Sequence, residues 1–146
     1  MIRELASEIA AHPAFQRWLE EEDLVRRFTA AVANIAAGRS PAPHLEFLRP
    51  EEPFAVRREG ERLVVDPASY RRYDAAVAVA TSFDTGTLLA LYRQLHPLIE
   101  DAHGEIARPG ADFDATLLAA VDHLLATPVT KGEIEVEEKV ITYTYA

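Results

Sequence analysis

His96, Glu100 and His103 fall at i, i+4 and i+7 of one predicted helix, a spacing that brings two imidazoles and a carboxylate near one face. Zinc and iron take such ligands, and three from one helix make the sharpest metal hypothesis in the chain. Two features oppose it. Pro97 distorts the helix inside that spacing, and no fourth ligand can be identified. The expectation is that no metal or other cofactor is held, with His96, Glu100 and His103 kept as the long shot.

The densest polar and aromatic cluster runs from Asp66 to Asp74, where Tyr70, Arg71, Arg72 and Tyr73 supply two guanidinium forks and two phenols. Such a set can grip a carboxylate, a phosphate or a peptide. Ordinary roles compete with binding: Asp66 and Asp74 as helix caps, the tyrosines packed between a hairpin and the helices, Arg71 and Arg72 paired with the acidic C-terminal third. These four residues are nonetheless the ligand- or partner-binding candidates.

Other reactive arrangements fail on spacing. Asp122 and His123 are neighbours on a helix, so they point about a hundred degrees apart and cannot form an oriented acid–base pair. His123, between Val121 and Leu124, reads instead as a partly buried structural histidine. No serine sits in a Gly-x-Ser-x-Gly elbow, and no glycine-rich loop is present to cradle a phosphate. Asp112 with Asp114 reads as helix capping, and Glu133 to Glu138 as a solvated strand face. No catalytic residue is assigned, and the balance leans away from an enzyme.

The elements that must position these residues follow from periodicity. Ile2, Leu5, Ile9 and Ala10 mark a short first helix before His12-Pro13, and Phe15, Trp18 and Leu19 a second helical piece. Leu24, Phe28, Val32 and Ile35 keep a helical rhythm up to Gly38, with the acidic run Glu20 to Asp23 at its start. Pro41, Pro43, Pro50 and Pro53 exclude a regular element there. Two β-prone runs flank Glu59-Gly60-Glu61, predicting a hairpin near 54–65. Asp66-Pro67, Asp74, Asp84 and either Asp112 or Asp114 mark four later helix starts, with a kink at Pro97 and a stop before Thr127-Pro128. From Ile134 the period changes to two, predicting strands near 133–145 that pair with the hairpin or with another chain.

The predicted fold class is mainly α with small antiparallel β elements, an α+β arrangement forming one compact multi-helix domain over residues 1–146. With 49% hydrophobic and 27% charged residues, the composition is that of a globular chain. No cysteine is present, which removes disulfides and thiol chemistry. The net charge of −9 without a basic stripe argues against nucleic acid, and no apolar run is long enough for direct membrane insertion.

Three strings carry a family resemblance: Leu63 to Asp74 (LVVDPASYRRYD), Leu91-Tyr92-Arg93, and Val121 to Pro128 (VDHLLATP). Glu22 to Phe28 (EDLVRRF), with Asn34 and Gly38, fits as well. Over nearly its whole length the chain resembles the bacterial domain of unknown function number 3014. The resemblance implies no activity and no catalytic residues. It implies a setting: an N-terminal membrane anchor and proline-rich linker in relatives, hence a periplasmic or envelope-associated location, against a cytoplasmic one without the anchor. It also implies a further helical segment beyond Ala146, leaving an unpaired edge near Tyr143, and aromatic residues at the positions of His96 and His103.

The expected function is a non-enzymatic protein- or peptide-interaction module, working through an open β edge at 134–145 or the Tyr/Arg cluster. The alternative is a small-ligand binder or hydrolase with a pocket between hairpin and helices, lined by Tyr70, Arg72 and His123. Homodimerisation through the C-terminal strands is a third expectation.

Overall fold

The computed structural model describes residues 17–139 and 142–145. The helix expected around Ile2, Leu5 and Ile9 lies outside them. Among the described residues the fold is mainly α with antiparallel β, as expected: five α-helices and one four-stranded sheet. The chain forms two compact units, one from the described residues up to Arg49 together with Ala78–Thr127, the other from Pro50–Val77 and the described residues from Pro128 onward.

The larger unit is helical. Helix α1 spans Leu24–Ala36, and its apolar rhythm buries Thr29, Ala31 and Val32. It ends in a Schellman turn: Gly38 at φ 66 donates to the Ile35 carbonyl at 2.9 Å, and Arg39 donates to the Asn34 carbonyl at 2.7 Å. A glycine costs nothing in that left-handed position, where any other residue meets its own Cβ. The start of α1 differs from the sequence reading. Asp23 is itself left-handed, at φ 55, and makes no side-chain cap bond; the acidic run instead supplies Asp23 to Arg26 at 3.6 Å and Glu21 to Arg27 at 4.0 Å. Two short 3-10 turns, Ala42–His44 and Glu46–Leu48, occupy the proline-rich connection, and Phe47 meets Trp18 edge-on.

The smaller unit begins with β1, Val56–Glu59, and β2, Arg62–Val65, in the predicted hairpin, with Gly60 at φ 64 leading the two-residue turn. Helix α2, Pro67–Arg71, starts at Asp66, whose carboxylate accepts from the Ala68 amide. Helix α3, Asp74–Ser82, follows, and the division between the units falls inside it after Val77. Asp74, expected as a cap, lies within the first turn of α3.

Back in the larger unit, α4 spans Thr85–Gly104, opened by Asp84, which accepts from the Thr87 amide. The helix expected to kink at Pro97 runs unbroken through it, with the proline on the exposed side. Helix α5, Phe113–Leu125, is capped by Asp112 rather than Asp114 and stops before Pro128. Val32, Ile99, Phe113 and Ala120 form the buried cluster, with Tyr92, Leu95 and Leu117 packed against it.

The tail strands β3, Glu135–Lys139, and β4, Thr142–Tyr145, join the hairpin in the order β1-β2-β3-β4, every neighbour antiparallel. Register puts Val56, Val65, Leu63 and Val136 on one face and Arg57, Glu59, Arg62, Val64 and Glu135 on the other. On the charged face Arg57 bridges Glu59 at 2.8 Å and Glu133 at 2.6 Å, while Arg62 lies 3.8 Å from both Glu59 and Glu135. Glu133 and Glu135, read as part of a solvated strand face, are therefore partners of the hairpin arginines. Of the two pairings foreseen for the tail, the intramolecular one is present: β3 pairs with β2.

Candidate functional site

The metal arrangement suggested by spacing is broken up by the fold. His103 is only 2% exposed, its ring edge-on to Phe113 at 5.4 Å and its Nε2 3.3 Å from the Thr116 hydroxyl. His96 and Glu100 do meet, at 3.6 Å, but their third neighbour is Asp114, whose Oδ1 lies 3.3 Å from His96 Nε2. Among the described residues no group of three or more His, Asp or Glu side chains has metal-binding geometry. The reason is position along the helix: His103 lies two turns beyond His96, where Phe113 and Thr116 of α5 cover it, while His96 stands beside Asp114.

What the sequence missed is the network around Asp114. Tyr92 donates its hydroxyl to Asp114 Oδ1 at 2.5 Å, and Glu100 accepts from the Phe113 amide at 3.3 Å. Thus α4 ties down the first turn of α5 with side chains. Burial, and then the bond to Asp114, pushes the Tyr92 phenol above its ordinary value. The same bond, helped by His96, holds Asp114 below the usual carboxylate range. Glu105 is held low by a bidentate pair with Arg26, at 2.8 and 2.9 Å, and Asp84 by the Thr87 amide and hydroxyl. The Arg26–Glu105 pair lies in an open cleft whose lining also includes Asp23, Leu98 and Asp101.

A pH dependence follows from these three depressed carboxylates. Each binds its proton less readily folded than unfolded, so each contributes stability that is present near neutrality and lost as pH falls from about 4 downward. Tyr92 has the opposite sign: its contribution is kept up to about pH 10 and lost only in stronger alkali. The expected result is an unfolding midpoint that falls as pH drops below about 4, and falls less in Asp84→Asn/Glu105→Gln/Asp114→Asn. An equal slope in wild type and triple variant, measured by urea titration, would remove this assignment.

His123 is exposed and not, as expected, partly buried; its Cε1 would lie 3.4 Å from a Cβ placed on Gly38. Tyr70 and Arg72, its proposed companions, belong to the other unit.

The Tyr/Arg cluster has the more organised geometry. Ser69 is buried and clasps Ala55, accepting from its amide at 2.7 Å and donating to its carbonyl at 2.8 Å, which fixes α2 to the residue before β1. From that anchored turn Arg72 donates through Nε to the Ser69 carbonyl and through Nη1 to the Glu52 carbonyl, both at 3.1 Å. Its guanidinium carbon lies 5.5 Å from the Phe54 ring centre and 5.4 Å from that of Tyr73. Tyr70 and Tyr73 are each 48% exposed, and Arg71 is exposed. Among the described residues, Arg72 is paired with no C-terminal acid. The tyrosines face solvent substantially, and Arg72 is engaged by carbonyls and rings.

A family model described as "Protein of unknown function (DUF3014)" matches residues 24–146. The chain belongs to the DUF3014 family. No curated protein and no solved structure matches it. The matched span of this DUF3014 domain contains both the Asp114 network and the Arg72 platform. No single helix among the described residues is long and apolar enough to cross a membrane.

Proposed function

We propose that this DUF3014 domain is a non-enzymatic module that binds a protein or peptide segment through Phe54, Tyr70, Arg72 and Tyr73. One observation carries the reading: a guanidinium held in place by two backbone carbonyls and the rings of Phe54 and half-exposed Tyr73, next in sequence to a helix that carries half-exposed Tyr70. Aromatic and arginine side chains supply most hot spots of protein interfaces, because they offer large contact area. Here the anchoring of α2 through Ser69 and Ala55 lowers the ordering cost that binding would otherwise carry.

Tyr70→Ser/Tyr73→Ser removes exposed area and one of the two rings against Arg72, and should leave folding within about 1 kcal/mol of wild type. The expected outcome of a quantitative capture experiment with envelope extract is a drop of at least about tenfold in retained partner, since hot-spot losses of about 2 kcal/mol or more are typical. Equal capture by the double variant would take the platform out of the account. The proposal includes the envelope setting implied by the family resemblance. Fractionation of cells producing the full-length protein checks it, and recovery wholly in the cytosol removes it.

A further inference from the structure

Arg72 stands apart from the other described arginines. Only Arg27 and Arg72 are partly withdrawn from solvent, the rest being exposed. Arg27 has the Glu21 carboxylate at 4.0 Å, whereas Arg72, among the described residues, has carbonyls and ring faces in place of a carboxylate. Taking a guanidinium out of water is costly unless a counter-charge meets it, and carbonyl dipoles and ring quadrupoles supply only part of that compensation. The fork is therefore held in position and, among the described residues, is paired with no carboxylate.

We propose that Arg72 is an anion-recognition point and that the segment it takes is an extended peptide bearing a carboxylate. This rests on the interaction-module reading above and names the chemistry of its partner. A carboxylate is planar and singly charged, which suits one guanidinium fork flanked by aromatic rings. A phosphate dianion fits less well: phosphate sites gather several cations or backbone amides, whereas here one guanidinium fork is held in place. Arg71, adjacent and exposed, contributes a second positive charge that strengthens the local attraction without supplying a rigid fork. Tyr70 and Tyr73 would then pack against the peptide on either side of its acidic residue.

A random peptide library displayed on phage and selected against the whole chain tests this. The expected result is enrichment of sequences with Asp, Glu or a free C-terminal carboxylate. A representative synthetic peptide should lose about tenfold or more in affinity when that carboxylate becomes an amide, the loss typical of a charge-assisted bond. Arg72→Gln should produce the same loss with the acid peptide and no further loss with the amide, while Arg72→Lys recovers only part. Should Arg72→Gln unfold the chain, the acid-to-amide comparison on wild type still decides. Enriched peptides that bind equally well as amides yet need Tyr70 and Tyr73 overturn the anion point and leave the module intact. Tighter binding of a phosphoserine peptide overturns the choice of carboxylate. Peptides indifferent to the tyrosines overturn both readings.

Discussion

Phe113→Ala is expected to lower the unfolding free energy of the helical unit by about 3–5 kcal/mol, the cost of emptying a filled aromatic site in a core that relaxes only partly. Phe113 has no exposed surface and is the residue on which three elements converge. Phe28 of α1 meets its ring at 5.9 Å, His103 of α4 meets it at 5.4 Å, and its own amide donates to Glu100. A loss of that size is a large share of the total stability of an ordinary domain. The measurement is a urea titration followed by fluorescence of Trp18, the single tryptophan of the chain, which belongs to the same unit. Leu125→Ala, at a position 79% exposed, should move the midpoint by no more than about 0.5 kcal/mol in the same assay. Comparable losses at both positions would show that Phe113 is not where the helices are locked together.

Why some of this was legible and some not follows from the range of the interactions. Local chemistry was readable: Gly38 ends α1, Gly60 leads the hairpin turn, and Asp66, Asp84 and Asp112 cap their helices, because each acts on backbone within a few residues. The change of period at Ile134 gave the tail strands for the same reason. Partners far apart in sequence were not readable. Arg26 meets Glu105 seventy-nine residues away, and Arg57 meets Glu133 seventy-six away; composition shows that such charges exist, and only the folded backbone says which ones meet.

The candidate site divides in the same way. The segment Tyr70 to Tyr73 was visible as a cluster of types, but the roles within it were not. Nothing local says that Arg72 reaches back twenty residues to a carbonyl while Arg71 stays in solvent. Likewise, Asp112 and Asp114 looked interchangeable as caps. Asp112 takes the capping role, and Asp114 is left to accept from Tyr92 and to sit beside His96. A two-residue difference on a helix rotates the side chain by more than half a turn, so the choice depends on which face α4 covers.

His103 gives the second large expectation, and it separates a structural histidine from one with another duty. Thr116 donates its one hydroxyl proton to the Asp112 carbonyl at 3.0 Å, so towards His103 it can only accept. Nε2 is therefore the nitrogen that donates, and Nδ1 is buried and, among the described residues, without a hydrogen-bond partner. His103→Ala leaves a hole beside Phe113 and should cost about 2–4 kcal/mol. His103→Phe keeps a ring against Phe113 and removes the orphaned nitrogen, which offsets the lost bond to Thr116; its stability should stay within about 1 kcal/mol of wild type. The two variants are compared in the same denaturant titration, with Thr116→Val as the complementary change. A phenylalanine variant as weak as the alanine one would mean that the lone pair is engaged in the folded chain, and the case for His103 as a packing residue would be lost.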